Sequence, residues 1–283
     1  MSYALTEFNG VLLPDRMPED DLSTGMAESS LLDSIGGAFD YWQMVQRPPR
    51  KRTIPFRGIY TGETTYLVDE AGNYIVDEAG NYIIAGDAEN RLRAQVGALL
   101  AQQGRRGSLW REREDGARQW LTARLQSVNY IRKVDDAYTA NIDCQFETLH
   151  AAWRAETATQ KSVSASNGVA AGLTVSNGGD VTVQDAVITV AVTSGTMTQL
   201  DIDGTGIDLT WAGSLASGNT LEINCAAQSV ARTDGTDQYS GFVLNSGHTA
   251  RGWLPLEQGI TLLVVTVMGG DATVTVTHYN QFR

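Results

Sequence analysis

Apolar positions recur along the chain with two different periods. Between Asp87 and Gln103 they fall at Leu92, Val96, Leu99 and Leu100, one stripe of an amphipathic helix, with Arg91, Arg93, Gln95 and Gln102 off it. Gly86 or Asp87 can cap its start, and Gly104 can close its end. Between Tyr138 and Leu149 the period drops to two. Ala140, Ile142, Cys144 and Phe146 alternate with Asn141, Asp143, Gln145 and Glu147, which predicts a strand with one buried and one wet face. Further strands are predicted at Met1–Gly10, Ser34–Val45, Thr53–Tyr60, Ser108–Trp110 and Trp120–Tyr130. The acidic stretch Asp15–Ser30 reads as an exposed loop, and Thr148–Arg154 closes this half of the chain with Leu149 and Trp153.

The pattern changes at about Trp153. Up to that residue there are 16 basic and 22 acidic side chains; the remaining 130 positions hold only 5 and 11. Ala155–Ser164 is polar and without periodicity, as a linker would be. Short strands follow at Leu173–Val175, Asp180–Gln184, Val187–Val192, Thr198–Ile202, Asp208–Trp211, Thr220–Asn224, Ser229–Thr233, Phe242–Leu244, Ile260–Val267 and Ala272–His278. Asn177-Gly178-Gly179, Asp203-Gly204, Asp234-Gly235 and Gly269-Gly270-Asp271 are the expected turns between them. Regular short strands with such turns predict a β-sandwich or barrel. The expectation is therefore two domains: an α+β module over 1–154, and after the linker 155–164 an all-β module over 165–283.

An octapeptide, VDEAGNYI, occurs twice in succession, at Val68–Ile75 and Val76–Ile83. Each copy places Gly and Asn where a tight turn needs positive φ, so the pair predicts a small hairpin elaboration over 66–84. The Asp-Glu pairs lack the alternating spacing of a calcium loop, which leaves no metal reading.

Composition narrows the function classes. The net charge of −12 disfavours generic nucleic-acid binding, which requires a basic surface to neutralise phosphates. The longest apolar run, Ile260–Met268, is too short to span a membrane, and Met1–Gly10 lacks the features of a secretory signal. Cys144 and Cys225 are expected as reduced structural thiols. His150, His248 and His278 have no partners at metal-ligand spacing, and no nucleophile or phosphate-cradle motif stands in a suitable context. Asp201, Asp203, Asp208 and Glu222 stand in the second half of the chain, where aspartates flanking glycine read as turn formers rather than as part of a catalytic pair. No enzyme activity and no cofactor are expected. Two surfaces remain as candidates. Arg50, Lys51, Arg52, Tyr74, Tyr82, Arg91 and Arg93 are the candidate subunit-interface residues of the first domain. Trp211, Tyr239 and Trp253 could face a carbohydrate, the alternative being that both tryptophans alternate into the core.

Taken in order, several segments carry a resemblance: TIPFRGIY (Thr53–Tyr60), NRLRAQVGALLAQQG (Asn90–Gly104), GSLW (Gly107–Trp110), WLTARLQSV (Trp120–Val128), IDCQFETLHAAW (Ile142–Trp153) and the closing GWLPLEQGITLLVVTVMGGDATVTVTHYNQFR. Together they resemble a distal tail protein of long-tailed, non-contractile phages over nearly the whole chain. Thr261 departs from that pattern, standing where the family often has asparagine. The resemblance implies a split-barrel ring domain followed by a galectin-like sandwich. It further implies a closed ring, hexameric or alternatively trimeric, in the virion tail tip, assembled in the host cytoplasm. The ring's neighbours would be the tail tube protein and a tail-associated lysin or baseplate hub protein with its fibres. A host-recognition module binding a surface glycan is the alternative function. Six copies would carry roughly −70 of charge, so close approach requires local matching of arginine to carboxylate.

Overall fold

The computed structural model describes residues 3–16, 52–61, 65–66, 75–79, 81, 84–86, 88–113, 115–132, 139–148, 152–250 and 252–283. The protein is mostly β, and these residues fall into two compact units, 3–148 and 152–283. The predicted strand Ser34–Val45 and most of the octapeptide repeat lie outside the described residues.

The first unit is a curled, half-barrel antiparallel sheet. Its strands are β1 (Tyr3–Phe8), β2 (Val11–Leu12), β3 (Asp15–Arg16) and β4 (Arg52–Thr61), and a separate pair is formed by β5 (Thr65–Tyr66) with β6 (Ile84–Gly86). The helix α1 (Ala88–Leu100) follows, then β7 (Arg106–Arg113), β8 (Arg118–Arg132) and β9 (Thr139–Thr148). The main sheet runs in the order β2-β1-β7-β8-β9-β4-β3. Its first hairpin turns on Asn9-Gly10, with φ of 50° and 82° and Phe8 paired to Val11. Positive φ at both central residues is what a two-residue hairpin of matching twist requires.

Alternation sets the faces. Leu109, Leu121, Leu125, Ile142, Cys144 and Phe146 are buried on the inner face, with the Phe8 ring 5.2 Å from that of Phe146. Leu92, Val96 and Leu99 of α1 are buried, and the helix packs against β4 and β8. The helix is shorter than the expected 87–103. It stops at Leu100, and a turn over 101–104 ends on Gly104, whose φ is +80° and whose N–H donates to the Leu125 carbonyl.

In the second unit the strands are β10 (Trp153–Ala155), β11 (Thr159–Ala165), β12 (Ala171–Asn177), β13 (Val187–Gly204), β14 (Ile207–Ala216), β15 (Thr220–Asn224), β16 (Ser229–Arg232), β17 (Phe242–Leu244), β18 (Gly259–His278) and β19 (Gln281–Phe282). Two of them are long and bent, and each replaces two predicted strands. The first half of β18 pairs with β12 and with the second half of β13, which continues to β14 and β17. The second half of β18 pairs with β11 and with the first half of β13, which continues to β15 and β16. Two five-stranded halves thus share their central strands and close on one hydrophobic core. Register breaks at Val192/Ser194 and Gly195/Gln199 mark the bend in β13, opposite Gly269 and Gly270 of β18. Strands that pass from one layer to the other through bends make the corners of such a fold.

Three sequence expectations need correction here. The segment 155–164 is not a free linker, because Thr159–Ala165 pairs residue for residue with Ala272–His278. Its polar composition reflects an outer strand with mostly exposed positions, only Ala165 being buried. Gly269-Gly270-Asp271 bends a continuous strand rather than reversing the chain. Asp180–Gln184 makes only isolated bridges, Val181 to Gln281 and Val183 to Leu256.

Both cysteines are free and buried. Burial, aided by the neighbouring Asp143 carboxylate, pushes the Cys144 thiol up to about 12. Burial and Asp185 push Cys225 likewise to about 12. Both therefore remain thiols at neutral pH.

Candidate assembly and recognition surfaces

The candidate interface residues of the first unit are only partly covered by the described chain. Arg50, Lys51, Tyr74 and Tyr82 lie outside it, and Arg52 is placed as the first residue of β4. Arg91 and Arg93 stand exposed on the side of α1 away from its buried stripe. Arg93 donates to Glu89 at 2.7 Å, an i,i+4 pair of a few tenths of a kcal/mol at most. Within the second octapeptide, Asp77 Oδ1 accepts the backbone N–H of Ala79 and of Asn81, and the Asn81 amide donates to the same carboxylate. The acidic residue of this copy organises its own turn.

The outward side of the first sheet carries a feature that the sequence did not single out. Trp110 and Trp120 are cross-strand partners with ring centroids 6.3 Å apart, and the Arg118 guanidinium lies 4.6 Å from the Trp110 ring centroid. Arg118 also pairs with Glu7 at 3.2 Å. Half-buried tryptophan beside arginine is the composition of protein–protein hot spots. Two tryptophans ten residues apart gave no sign of this, because their adjacency depends on the β7–β8 register.

The three residues proposed to face a carbohydrate do not form a platform. Trp211 is 1% exposed and donates its indole N–H to the Gln238 carbonyl at 3.2 Å. Trp253 is 6% exposed. Both belong to the sandwich core, so their assignment as sugar-facing residues is overturned: a stacking surface has to be open on one face. Tyr239 is 50% exposed, stacked on Trp253 at 6.0 Å, and Phe242 completes the cluster 4.3 Å from Trp253.

The polar residues considered for chemistry have structural partners. The His248 Nδ1 accepts the Asp208 backbone N–H, and Nε2 contacts the Gly252 carbonyl at 2.8 Å, so this ring ties a loop to β14. His278 is buried against the Ser176 carbonyl, and desolvation lowers its pKa from the usual 6.5. Asp201 and Asp208 lie in strands as expected, and Asp203, expected in a turn with Gly204, is a strand residue as well. They lie in β13 and β14, and the chain reverses beyond them at Thr205-Gly206. Among the described residues no group of three His, Cys, Asp or Glu could hold a metal ion, and no helix is long and apolar enough to cross a membrane.

No protein-family model and no curated protein matches the chain. Solved structures do resemble it. The crystal structure of the SPP1 Dit (gp 19.1) protein, described as a paradigm of the hub adsorption apparatus in Gram-positive-infecting phages, aligns with a TM-score of 0.51. The identity is 12%, over 81% of this chain and 79% of that one. Two structures of the phage P2 baseplate in its activated conformation, with calcium and with strontium, align at TM-scores of 0.32. Their identities are 9% and 8%, over 78% of this chain and 90% of theirs. At 12% identity the likeness to SPP1 Dit is one of fold, and it spans most of both chains.

Proposed function

We propose that this protein is a structural component of a phage tail tip, a hub protein that joins other tail proteins rather than an enzyme. The observation that carries the reading is the fold shared with the SPP1 Dit hub protein across four-fifths of both chains. In this reading the first unit forms a closed ring of six copies, or alternatively three, and the second, galectin-like unit projects from it. The ring connects the tail tube protein above to a tail-associated lysin or baseplate protein below. Rings form when a head-to-tail contact repeats with a rotation that closes. The Trp110–Trp120 pair and the exposed side of α1 supply surfaces for such contacts. Light scattering and negative-stain imaging of the purified chain test this. Closed rings are expected, and a strictly monomeric species at tens of micromolar would sink the reading.

The exposed Tyr239 ring, backed by Trp253 and Phe242, favours one second reading, a glycan contact made by the projecting unit. Binding on a glycan array that disappears in Tyr239→Ala would support it, and an array without signal would retire it.

A further inference from the structure

The outward face of β18 is unusual for an exposed sheet. Along this strand Leu263, Val265 and Val267 point into the core, and the residues between them should be polar. Instead Ile260 is 70% exposed, Leu262 67% and Val264 45%. The three form a stripe about 13 Å long at roughly 3.3 Å per residue. On one side it is flanked by the small residues Ser176, Thr174 and Gly172 of β12, each directly opposite one of the three. A flat apolar row bordered by short side chains is open to close approach by another surface.

On the other side lies a row of carboxylates. Asp203 is the β13 partner of Val264, Asp201 sits two residues before it, and Asp208 of β14 pairs directly with Asp203. Gln199 and Thr210 donate to Asp201, and Asn245 donates to Asp208. Among the described residues no Lys or Arg nitrogen comes within 4.0 Å of the three. Partial burial, then the charges of Asp208 and Asp201, raises the pKa of Asp203. Like charges directly opposite one another weaken a sheet unless something cationic covers them.

The complementary pattern occurs in the other unit. Arg106 of β7 and Arg124 of β8 are direct cross-strand partners, and Arg105 precedes them. All three are exposed, and among the described residues none pairs with a carboxylate; Arg124 donates only to the Gly104 carbonyl. Arg106 shares its face of β7 with Ser108 and Trp110, so this cationic cluster also borders an apolar side chain. Arg124 also stands directly opposite Glu147 of β9, with no ion pair between the two within 4.0 Å, so each unit holds a cluster of predominantly one sign beside apolar surface.

We infer that these surfaces are the two sides of one contact between copies of this chain: the Ile260/Leu262/Val264 stripe with its aspartates on one copy docks on the Arg105/Arg106/Arg124 cluster of the next. The contact is heterologous, as a closing ring requires, and it rests on the self-assembling reading proposed above. Its charge matching gives partner orientation, and the aliphatic stripe gives the buried area.

Sedimentation velocity of the full chain over a range of concentrations and salt tests it. Wild type that stays monomeric would remove the self-assembly reading itself. If wild type assembles, Leu262→Asp and Asp203→Arg, both at exposed or partly exposed positions, are each expected to weaken assembly about tenfold or more with an unchanged circular dichroism spectrum. Arg124→Asp is expected to do the same, and combining it with Asp203→Arg in one chain to restore assembly. Assembly indifferent to these changes would overturn the contact and leave the ring reading standing. Weakening without rescue by the charge swap would overturn the pairing with the arginine cluster. A salt response independent of concentration would place the contact within one chain and overturn it too.

Discussion

Trp211→Ala is expected to lower the stability of the second unit by about 3–5 kcal/mol, the range for deleting a buried aromatic side chain. The ring is fully buried in the core of the two-layered unit, and its indole N–H satisfies the Gln238 carbonyl. Truncation therefore removes packing and opens a cavity, while the Gln238 carbonyl keeps only the Gly241 N–H as donor. Tyr239→Ala is the matched control. It removes an aromatic from the same cluster at a half-exposed position, so its ring contacts with Trp253 and Phe242 are lost, such pairs being worth about 0.5–1.5 kcal/mol. Denaturant unfolding followed by circular dichroism separates the two. Equal shifts would mean that Trp211 does not anchor the core. The same comparison distinguishes architecture from recognition, since a sugar platform would reverse the order in a binding assay and leave stability nearly untouched.

Why that tryptophan was ambiguous in the sequence has a physical reason. Trp211 alternates with small neighbours, Thr210 and Ala212 on the strand's other side, but alternation says only that the two faces differ. It does not say which one meets the core. Helix α1 was more legible because three turns of apolar residues at helical spacing have one sensible burial, and Leu92, Val96 and Leu99 took it. β9 was legible for the same reason, its four apolar positions all buried.

The exposed stripe was hidden by the opposite problem. Ile260 to Met268 is apolar on both faces, so the run reads as a strand buried on both sides, and its period of two disappears. Only the structure shows that alternate residues stand in solvent beside Asp203. Arg106 and Arg124 are eighteen positions apart and become neighbours through the β7–β8 register, which composition does not reveal. The edge strand β11 went unread because one of its faces contributes almost nothing to the core, leaving Thr159–Ser164 with the polarity of a linker. In each case local pattern was sound, and long-range pairing decided the outcome.

Gly269→Ala is expected to be among the most disruptive single-methyl changes in the second unit. Two demands coincide at this position. Its φ is +85°, and a Cβ there would lie 2.4 Å from the Thr196 carbonyl oxygen. That oxygen belongs to the backbone of the bend in β13, so relieving the clash means parting the two central strands where both halves of the sheet join. Gly218 isolates the first demand: its φ is also +85°, but a Cβ meets nothing within 4 Å. Gly218→Ala should therefore cost only the backbone term, about 1–2 kcal/mol. Gly269→Ala should exceed it by several kcal/mol, because strain at a special backbone geometry and overpacking against backbone add. Thermal unfolding of the two variants measures the difference. Similar melting temperatures would mean that the corner yields cheaply, and the bent strands could then flex where this structure makes them rigid. A large gap would identify Gly195, Gly269 and Gly270 as the hinge-free joint that holds the outward stripe of β18 and its aspartates at a fixed angle to the other half of the sheet. A rigid joint of that kind would let a weak heterologous contact on one face repeat with the constant rotation that a closed ring demands.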